Sequence, residues 1–185
     1  KPRIFIVESG SEGVTVKKEN AMGVRAAALG SIHLQQVKVD KDALLGDDEF
    51  DYTAFINYAR LGWCALAVGA AKAVLEYTIN YANERIAFGE PISHRQAVAF
   101  MIANIGIELD SMQVMTQRAV ALAEQGKPFA REAYLARVLC AERAMEIGTN
   151  GVQLLGGHGF TREHPVEMWY RNLRAASILL GVAAV

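Results

Sequence analysis

The sequence predicts a mainly α fold, an antiparallel up-and-down four-helix bundle preceded by a few β-strands. Three observations carry that expectation. Apolar residues recur in steps of three and four along four long stretches after residue 47, the period of a helix with one buried face. Short connections marked by Gly and Pro separate those stretches, which places successive helices side by side and antiparallel. The opening 46 residues carry β-branched and aromatic runs closed by glycines, the pattern of short strands. The chain therefore divides into 1–46, a β part, and 47–185, a helical part.

Of the 185 residues, 52% are hydrophobic, enough for a sizeable core, and only 21% are charged. So sparse a polar surface on long helices points to faces covered by other chains. A formal net charge of −1 gives no electrostatic reason to expect nucleic acid or an anionic membrane as partner. No run reads as long and apolar enough to span a bilayer. Cys64 and Cys140 lie in apolar helical context without a paired-cysteine motif, and read as reduced core thiols of a cytoplasmic protein. The chain opens on Lys1 and stops at Ala183-Ala184-Val185 without a polar ending, which suggests part of something longer.

In the β part, Arg3-Ile4-Phe5-Ile6-Val7, Val14-Thr15-Val16 and Ile32 to Val39 read as strands, with turns at Gly10, Gly13 and Gly23. Three short strands do not make an independent sheet with its own core, so they are expected to complete a larger one. His33 reads as a packed or solvated histidine.

Asp47-Asp48 suits a helix N-terminus and opens the helical part. The first helix carries Leu61, Cys64, Ala65, Val68, Ala71, Leu75, Ile79 and Ala82 in register and runs to about Asn83. The second carries Val98, Ile102, Ile105, Leu109, Met112, Thr116 and Ala119 at heptad-like spacing. Gly126 suits the position just past that helix, and Pro128 the first turn of the third. The third stripe is Tyr134, Val138, Ala141, Met145, Gly148, Val152 and Leu155, with Ala141 and Gly148 small enough for close helix approach. Pro165 opens the fourth helix, whose stripe is Val166, Trp169, Leu173, Ala176 and Leu180.

Two connections carry chemistry. The stretch from Arg85 to Gln96 combines a guanidinium, the Phe88 ring, a chain reversal at Gly89-Glu90-Pro91 and a Ser93–Gln96 capping box. It reads either as a site for something flat and anionic beside a helix N-terminus or as a well-capped turn with a solvated arginine. Gly156-Gly157-His158-Gly159 follows a helix instead of a strand, so dinucleotide-loop mechanics of the βαβ type do not apply. It reads as a helix end or as a place where backbone closely approaches a ligand. His158, Glu163 and His164 fit no metal-site spacing, and no metal is expected.

Several of these motifs, in order, resemble the acyl-CoA dehydrogenase family. They are Arg85-Ile86-Ala87-Phe88-Gly89-Glu90-Pro91-Ile92 with Gln96, then Glu124-Gln125-Gly126-Lys127-Pro128, then Val152-Gln153 through Gly156-Gly157 to Pro165-Val166-Glu167. Asn20 to Arg25, Val37-Lys38-Val39 and Leu45-Gly46 are similar to the end of that family's middle β-barrel. The resemblance implies a flavoprotein, with 1–46 the end of the barrel and 47–185 the C-terminal bundle. It implies FAD lying on a neighbouring subunit, with Arg85 at the pyrophosphate, Phe88 packed near the cofactor and Gln96 hydrogen-bonded to it. Gln153, Gly156 and Gly157 would pass the adenosine half across a subunit interface. Arg60 matches an arginine beside the family's active site. An acyl-CoA substrate, an electron-transfer flavoprotein or other electron acceptor, and a homo- or hetero-tetramer built as a dimer of dimers follow from the same resemblance.

The family's reaction is α,β-dehydrogenation of an acyl-CoA thioester, in which a carboxylate removes the α-proton while hydride passes to flavin N5. Here the two positions that carry the carboxylate in the family hold Leu180 and Ala59, and Val182 stands where a Thr near the flavin is usual. Neither Leu180 nor Ala59 accepts a proton, and nothing in the sequence marks nearby Tyr58 or Ser177 as a base. The resemblance is therefore compatible with three functions. One is an acyl-CoA dehydrogenase whose base comes from elsewhere, which family membership favours. The others are a non-catalytic subunit completing a partner's FAD site, and a flavin-dependent oxygenase-type relative.

Overall fold

A computed structural model describes residues 2–46, 49–176 and 178. Four helices form the bundle, α1 (Tyr52–Glu84), α2 (Gln96–Glu124), α3 (Ala130–Leu155) and α4 (Val166–Ala176). α3 packs against all three others, and α1 against the remaining two.

α1 starts at Asp51, whose carboxylate accepts the Ala54 N–H at 2.9 Å and satisfies one orphan amide of the first turn. Asp47 and Asp48 lie outside the described residues. The buried line of α1 is Asn57, Leu61, Cys64, Ala67, Ala71, Val74, Thr78 and Ala82. Ala65 and Ile79, expected on that line, are exposed instead, while Ala67, Val74 and Thr78 are buried. Thr78 tolerates full burial because its hydroxyl donates to the Val74 carbonyl at 2.8 Å.

α2 buries Ile105, Leu109, Met112, Thr116 and Ala119 as its period predicts, with Val98 and Ile102 partly covered. The expected Ser93–Gln96 capping box is absent. Ser93 lies in a 3₁₀ turn (Ile92–His94), Gln96 is the first residue of the α-helix, and Arg95 precedes it with no side-chain cap. The box would need the helix to begin before Gln96. The far end of α2 closes as a Schellman motif, with Gly126 at φ +65°, its N–H on Ala123 O and the Lys127 N–H on Leu122 O. Pro128 falls just ahead of α3 rather than in its first turn, since Phe129 is the cap residue.

The first half of the α3 register is displaced from the expected stripe, with Ala133, Ala136, Cys140, Ala144 and Ile147 buried while Tyr134 is 55% exposed. In the second half the expected Gly148, Val152 and Leu155 are buried beside Gly151 and Leu154. Surrounded by three helices, α3 turns its small residues, rather than its largest, to the tightest crossings. A Cβ on Gly151 would lie 2.6 Å from Val74 Cγ1, and one on Gly148 3.2 Å from Tyr170 Cα. Cys64 and Cys140 are buried and free. The hydrogen bond with Cys140, followed by burial, pushes the Cys64 thiol well above its ordinary range, so it stays protonated and unreactive.

Before the bundle, β1 (Val14–Lys18) pairs antiparallel with β2 (Gly30–Leu34), Val14 opposite Leu34 and Lys18 opposite Gly30. The expected Arg3–Val7 strand makes only an isolated bridge, Phe5 to Leu44. The strand expected over Ile32–Val39 ends at Leu34, because the chain bends and Gln36 takes φ +51°. α4 holds this segment down. Arg171 Nη1 donates to Met22 O at 2.9 Å, and the Val24 N–H donates to Asn172 Oδ1 at 2.8 Å. A side chain on Gly23 would collide with Arg171 O at 1.9 Å, so only glycine permits the contact.

α1 and α2 are each long and apolar enough to cross a bilayer by length and composition, which corrects the expectation that no run is. Both give part of that apolar surface to the bundle core, and part stays outward, as at Leu66, Phe100, Ile107 and Val114.

Candidate functional site

The connection from α1 to α2 is a miniature β-hairpin, β3 (Ile86–Ala87) against β4 (Glu90–Pro91). Its turn is Phe88-Gly89, with φ +55° and +85°, so the reversal falls one residue earlier than Gly89-Glu90-Pro91. Two successive positive φ values match the twist of paired strands. Glycine adopts them freely, whereas a phenylalanine does so at a cost of about 1–3 kcal/mol. The Phe88 ring gains no burial in return, being 94% exposed.

One charged group stands over that ring. Arg95 Cζ stands 5.3 Å from its centroid, a cation–π distance. Glu90 fixes the arrangement, pairing with Arg95 Nε at 3.2 Å and His94 Nδ1 at 3.4 Å. The Ile92 N–H donates to Arg85 O at 2.9 Å and closes the hairpin base. Arg85 and Gln96 are both exposed. Arg85 also lines a hollow of about 470 Å³ with Tyr77, Asn80, Tyr81, Glu84 and His164.

The segment after α3 is tied to the same end of α1. Tyr77 Oη lies 2.7 Å from His164 Nδ1 and Tyr81 Oη 3.0 Å from His158 Nδ1, with the two imidazole centroids 5.5 Å apart. The histidines are thus partners of tyrosines, and the described residues contain no group of three metal-type ligands. Tyr77 and Tyr81 were not among the expected site residues. Their three-and-four spacing from buried Val74 and Thr78 was the available signal.

Within this segment Gly156 has φ +58°, and neither it nor Gly157 has any atom within 4 Å of where a Cβ would stand. Gly159 differs, since a Cβ there would meet Val152 O at 2.3 Å. Gln153 is exposed and lines a separate hollow of about 340 Å³ with Val152, Phe160 and Tyr170. Arg85 and Gln153 therefore face two different openings of one chain. Ala59 and Arg60 sit half-buried in α1, away from the hairpin. Arg60 Nη1 donates to Asn57 Oδ1 at 3.0 Å, while its buried Nε has no partner among the described residues. Leu180, Ser177 and Val182 lie outside the described residues.

The family model for the acyl-CoA dehydrogenase C-terminal domain matches residues 52–185. The chain belongs to the acyl-CoA dehydrogenase family. It is 33% identical over 185 residues to the bovine mitochondrial short-chain specific acyl-CoA dehydrogenase, covering 98% of this chain and 45% of that one. It is 35% identical to the caffeyl-CoA reductase–Etf complex subunit CarC of Acetobacterium woodii, covering 98% and 49%. The butyryl-CoA dehydrogenase structure from Megasphaera elsdenii superposes with a TM-score of 0.87 at 30% identity, over 97% of this chain and 48% of that one. The chain thus spans about half the length of these acyl-CoA dehydrogenase relatives.

Proposed function

We propose that the chain is the C-terminal part of an FAD-dependent acyl-CoA dehydrogenase and supplies half of a flavin site completed by another subunit. The observation that carries this is Phe88, held at positive φ with its ring in solvent and a guanidinium over it. The hairpin turn accounts for the positive φ but not for an exposed aromatic at that position, which a ligand or neighbour that uses the ring would account for.

The groups present suit FAD. Arg85 and Arg95 bring positive charge to a pyrophosphate, and the Gln96 and Gln153 amides offer hydrogen bonds. The open space at Gly156 and Gly157 lets backbone approach the adenosine half. That Arg85 and Gln153 face separate openings suits a ligand that reaches across a subunit boundary in an assembly such as a tetramer. When bound, FAD would supply the hydride acceptor for α,β-dehydrogenation of an acyl-CoA. Residues 1–46 would then complete the middle barrel and 47–185 form the bundle domain.

This chain binds and orients; at Ala59 it offers no proton acceptor, and Leu180 offers none either. Arg60 would stand beside the reacting centre through its guanidinium, whose Nη1 donates to Asn57 Oδ1. An electron-transfer flavoprotein is the proposed acceptor, in keeping with the relative named as an Etf-complex subunit. A cytoplasmic setting remains part of this proposal, although the bovine relative is named as mitochondrial. The apolar residues at both base positions favour a second reading, a subunit that completes FAD sites for an active partner.

Two measurements test these readings. Arg85→Ala is expected to weaken FAD binding at least about tenfold, the loss of one charge-assisted contact; unchanged affinity removes the cofactor reading. Rapid bleaching of bound FAD by a saturated acyl-CoA supports the dehydrogenase. If bleaching is slow and rises about 10²–10⁴-fold in Ala59→Glu or Leu180→Glu, the missing base is the reason and the second reading holds.

A further inference from the structure

A cleft of about 360 Å³ opens between α1, α4 and the turn at Val24-Arg25-Ala26. Its α1 wall is Trp63, Leu66, Ala67 and Ala70, and its α4 wall runs from Met168 through Asn172 to Ala176. Trp63, Leu66 and Ala70 stand four, seven and eleven residues after Ala59, the spacing of one helical stripe. Met168, Asn172 and Ala176 step by four, and the next step in the sequence is Leu180. Tyr77 meets Trp169 with ring centroids 5.8 Å apart, so later residues of α1 lie beside earlier residues of α4 and the two helices run antiparallel. Both stripes therefore lead toward the same end, the one that Ala59 marks on α1.

The third wall is strained. Val24 takes φ +52°, a left-handed conformation that a β-branched residue rarely adopts. Its N–H donates to Asn172 Oδ1 at 2.8 Å, and this bond to α4 holds it in place. Strain held in this way gathers at ligand sites. The polar side chains around the cleft are engaged with the protein itself. Arg171 gives all three of its nitrogens to Glu167 and Met22 O, Asn172 accepts from Val24, and Arg25 Nε donates to Ala21 O at 3.4 Å. Trp63, Leu66, Ala70 and Met168 are left to face a ligand, and Leu66 is 64% exposed without one.

We propose that this cleft takes the hydrocarbon end of a short, uncharged acyl group, and that Trp63 sets how much chain enters. The inference rests on the acyl-CoA reading and adds to it the class of acyl group. The volume is at the low end of the range for small-molecule sites, about 300–1,000 Å³. Trp63, one turn from Ala59, fills room that a longer chain needs. Burial of the alkyl chain against Trp63 and Leu66 supplies the attraction. A carboxylate at the chain's end would lose its water and find the nearby polar groups already paired.

The probes are S-alkyl coenzyme A thioethers, which lack the carbonyl that makes the α-proton acidic and so bind without being oxidised. Calorimetry on the FAD-loaded full chain compares the S-butyl, S-octyl and S-(3-carboxypropyl) derivatives. The S-butyl compound is expected to bind at least about tenfold tighter than either of the others. Trp63→Ala should bring the S-octyl compound level with it, and the milder Trp63→Phe should move it part of the way. Trp169→Phe leaves Trp63 as the one tryptophan of the original two, and the S-butyl compound should change its fluorescence.

Equal binding of S-octyl and S-butyl compounds by the wild type overturns the role of Trp63. Equal or tighter binding of the carboxypropyl compound overturns the uncharged class. If the S-butyl compound binds while neither Trp63 fluorescence nor the Trp63 variants respond, another segment or a second chain covers the cleft; its assignment is then wrong and the acyl-CoA reading stands. If none of the three binds, the acyl-CoA reading fails and the cleft's role fails with it.

Discussion

Arg95 holds its guanidinium 5.3 Å from the centre of the Phe88 ring, joining the residue just before α2 to the tip of the hairpin that precedes it. The ring is otherwise in solvent, so this contact and the strained turn define its position. Phe88→Gly should remove the positive-φ penalty and raise the unfolding free energy slightly, by about 1 kcal/mol or less after the loss of the Arg95 contact. The same substitution should weaken FAD binding severalfold. A fluorescence titration beside the urea curve reads both. Opposite signs mark Phe88 as a residue kept for the ligand; a fall in stability with unchanged FAD affinity would make it a folding residue.

Glycines inside helices here fall into two groups that a single substitution separates. Gly151 has no room for a Cβ, with Val74 Cγ1 2.6 Å from that position. Gly151→Ala should destabilise by about 1–3 kcal/mol through overpacking of the α1–α3 crossing. Gly62 and Gly69 lie in α1 with nothing within 4 Å. Gly62→Ala and Gly69→Ala should each stabilise by about 0.5–1 kcal/mol, the helix-propensity difference. Thermal or urea unfolding checks both directions.

These cases show what was legible from residues alone. The α2 core line was readable because large apolar residues recur at a constant step and only one face is buried. The first half of the α3 line was not, because the helix is surrounded and its closest contacts there use Ala, which carries little apolar signal of its own, whereas Gly148, Val152 and Leu155 are buried as expected. Arg85, Phe88, Gln96, Gln153, Gly156 and Gly157 were marked from motif resemblance. The left-handed turn at Phe88 was missed because propensity rules place glycine or asparagine there, not an aromatic. The Tyr–His pairs join residues 87 and 77 positions apart and leave no local trace.

Those pairs carry their own prediction. Tyr77→Phe and Tyr81→Phe each remove one hydrogen bond that ties the segment after α3 to α1. Each should cost about 0.5–1.5 kcal/mol of stability. The loss should be local, with faster amide exchange over Gly156–Phe160 and little change in α2. Uniform change across the bundle would show instead that the tyrosines act through general packing.

Glu167 and Arg171 give the pH dependence. Arg171 donates to both carboxylate oxygens, Nε to Oε2 at 2.7 Å and Nη2 to Oε1 at 3.1 Å, while its Nη1 donates to Met22 O. The hydrogen bond from Arg171 holds the Glu167 carboxyl below the usual range. A carboxyl whose folded value is depressed binds its proton more readily in the unfolded chain, so the folded state gains stability above the unfolded value of about 4.3. That gain is lost as pH falls through the folded value. Because Arg171 also holds Met22, acid should loosen the β part from α4 before the bundle core opens. Glu167→Gln should remove this pH-dependent component and flatten the stability profile below about pH 5. Urea curves taken from pH 7 to pH 3 on both proteins check it, and parallel profiles would show that other carboxylates govern acid unfolding.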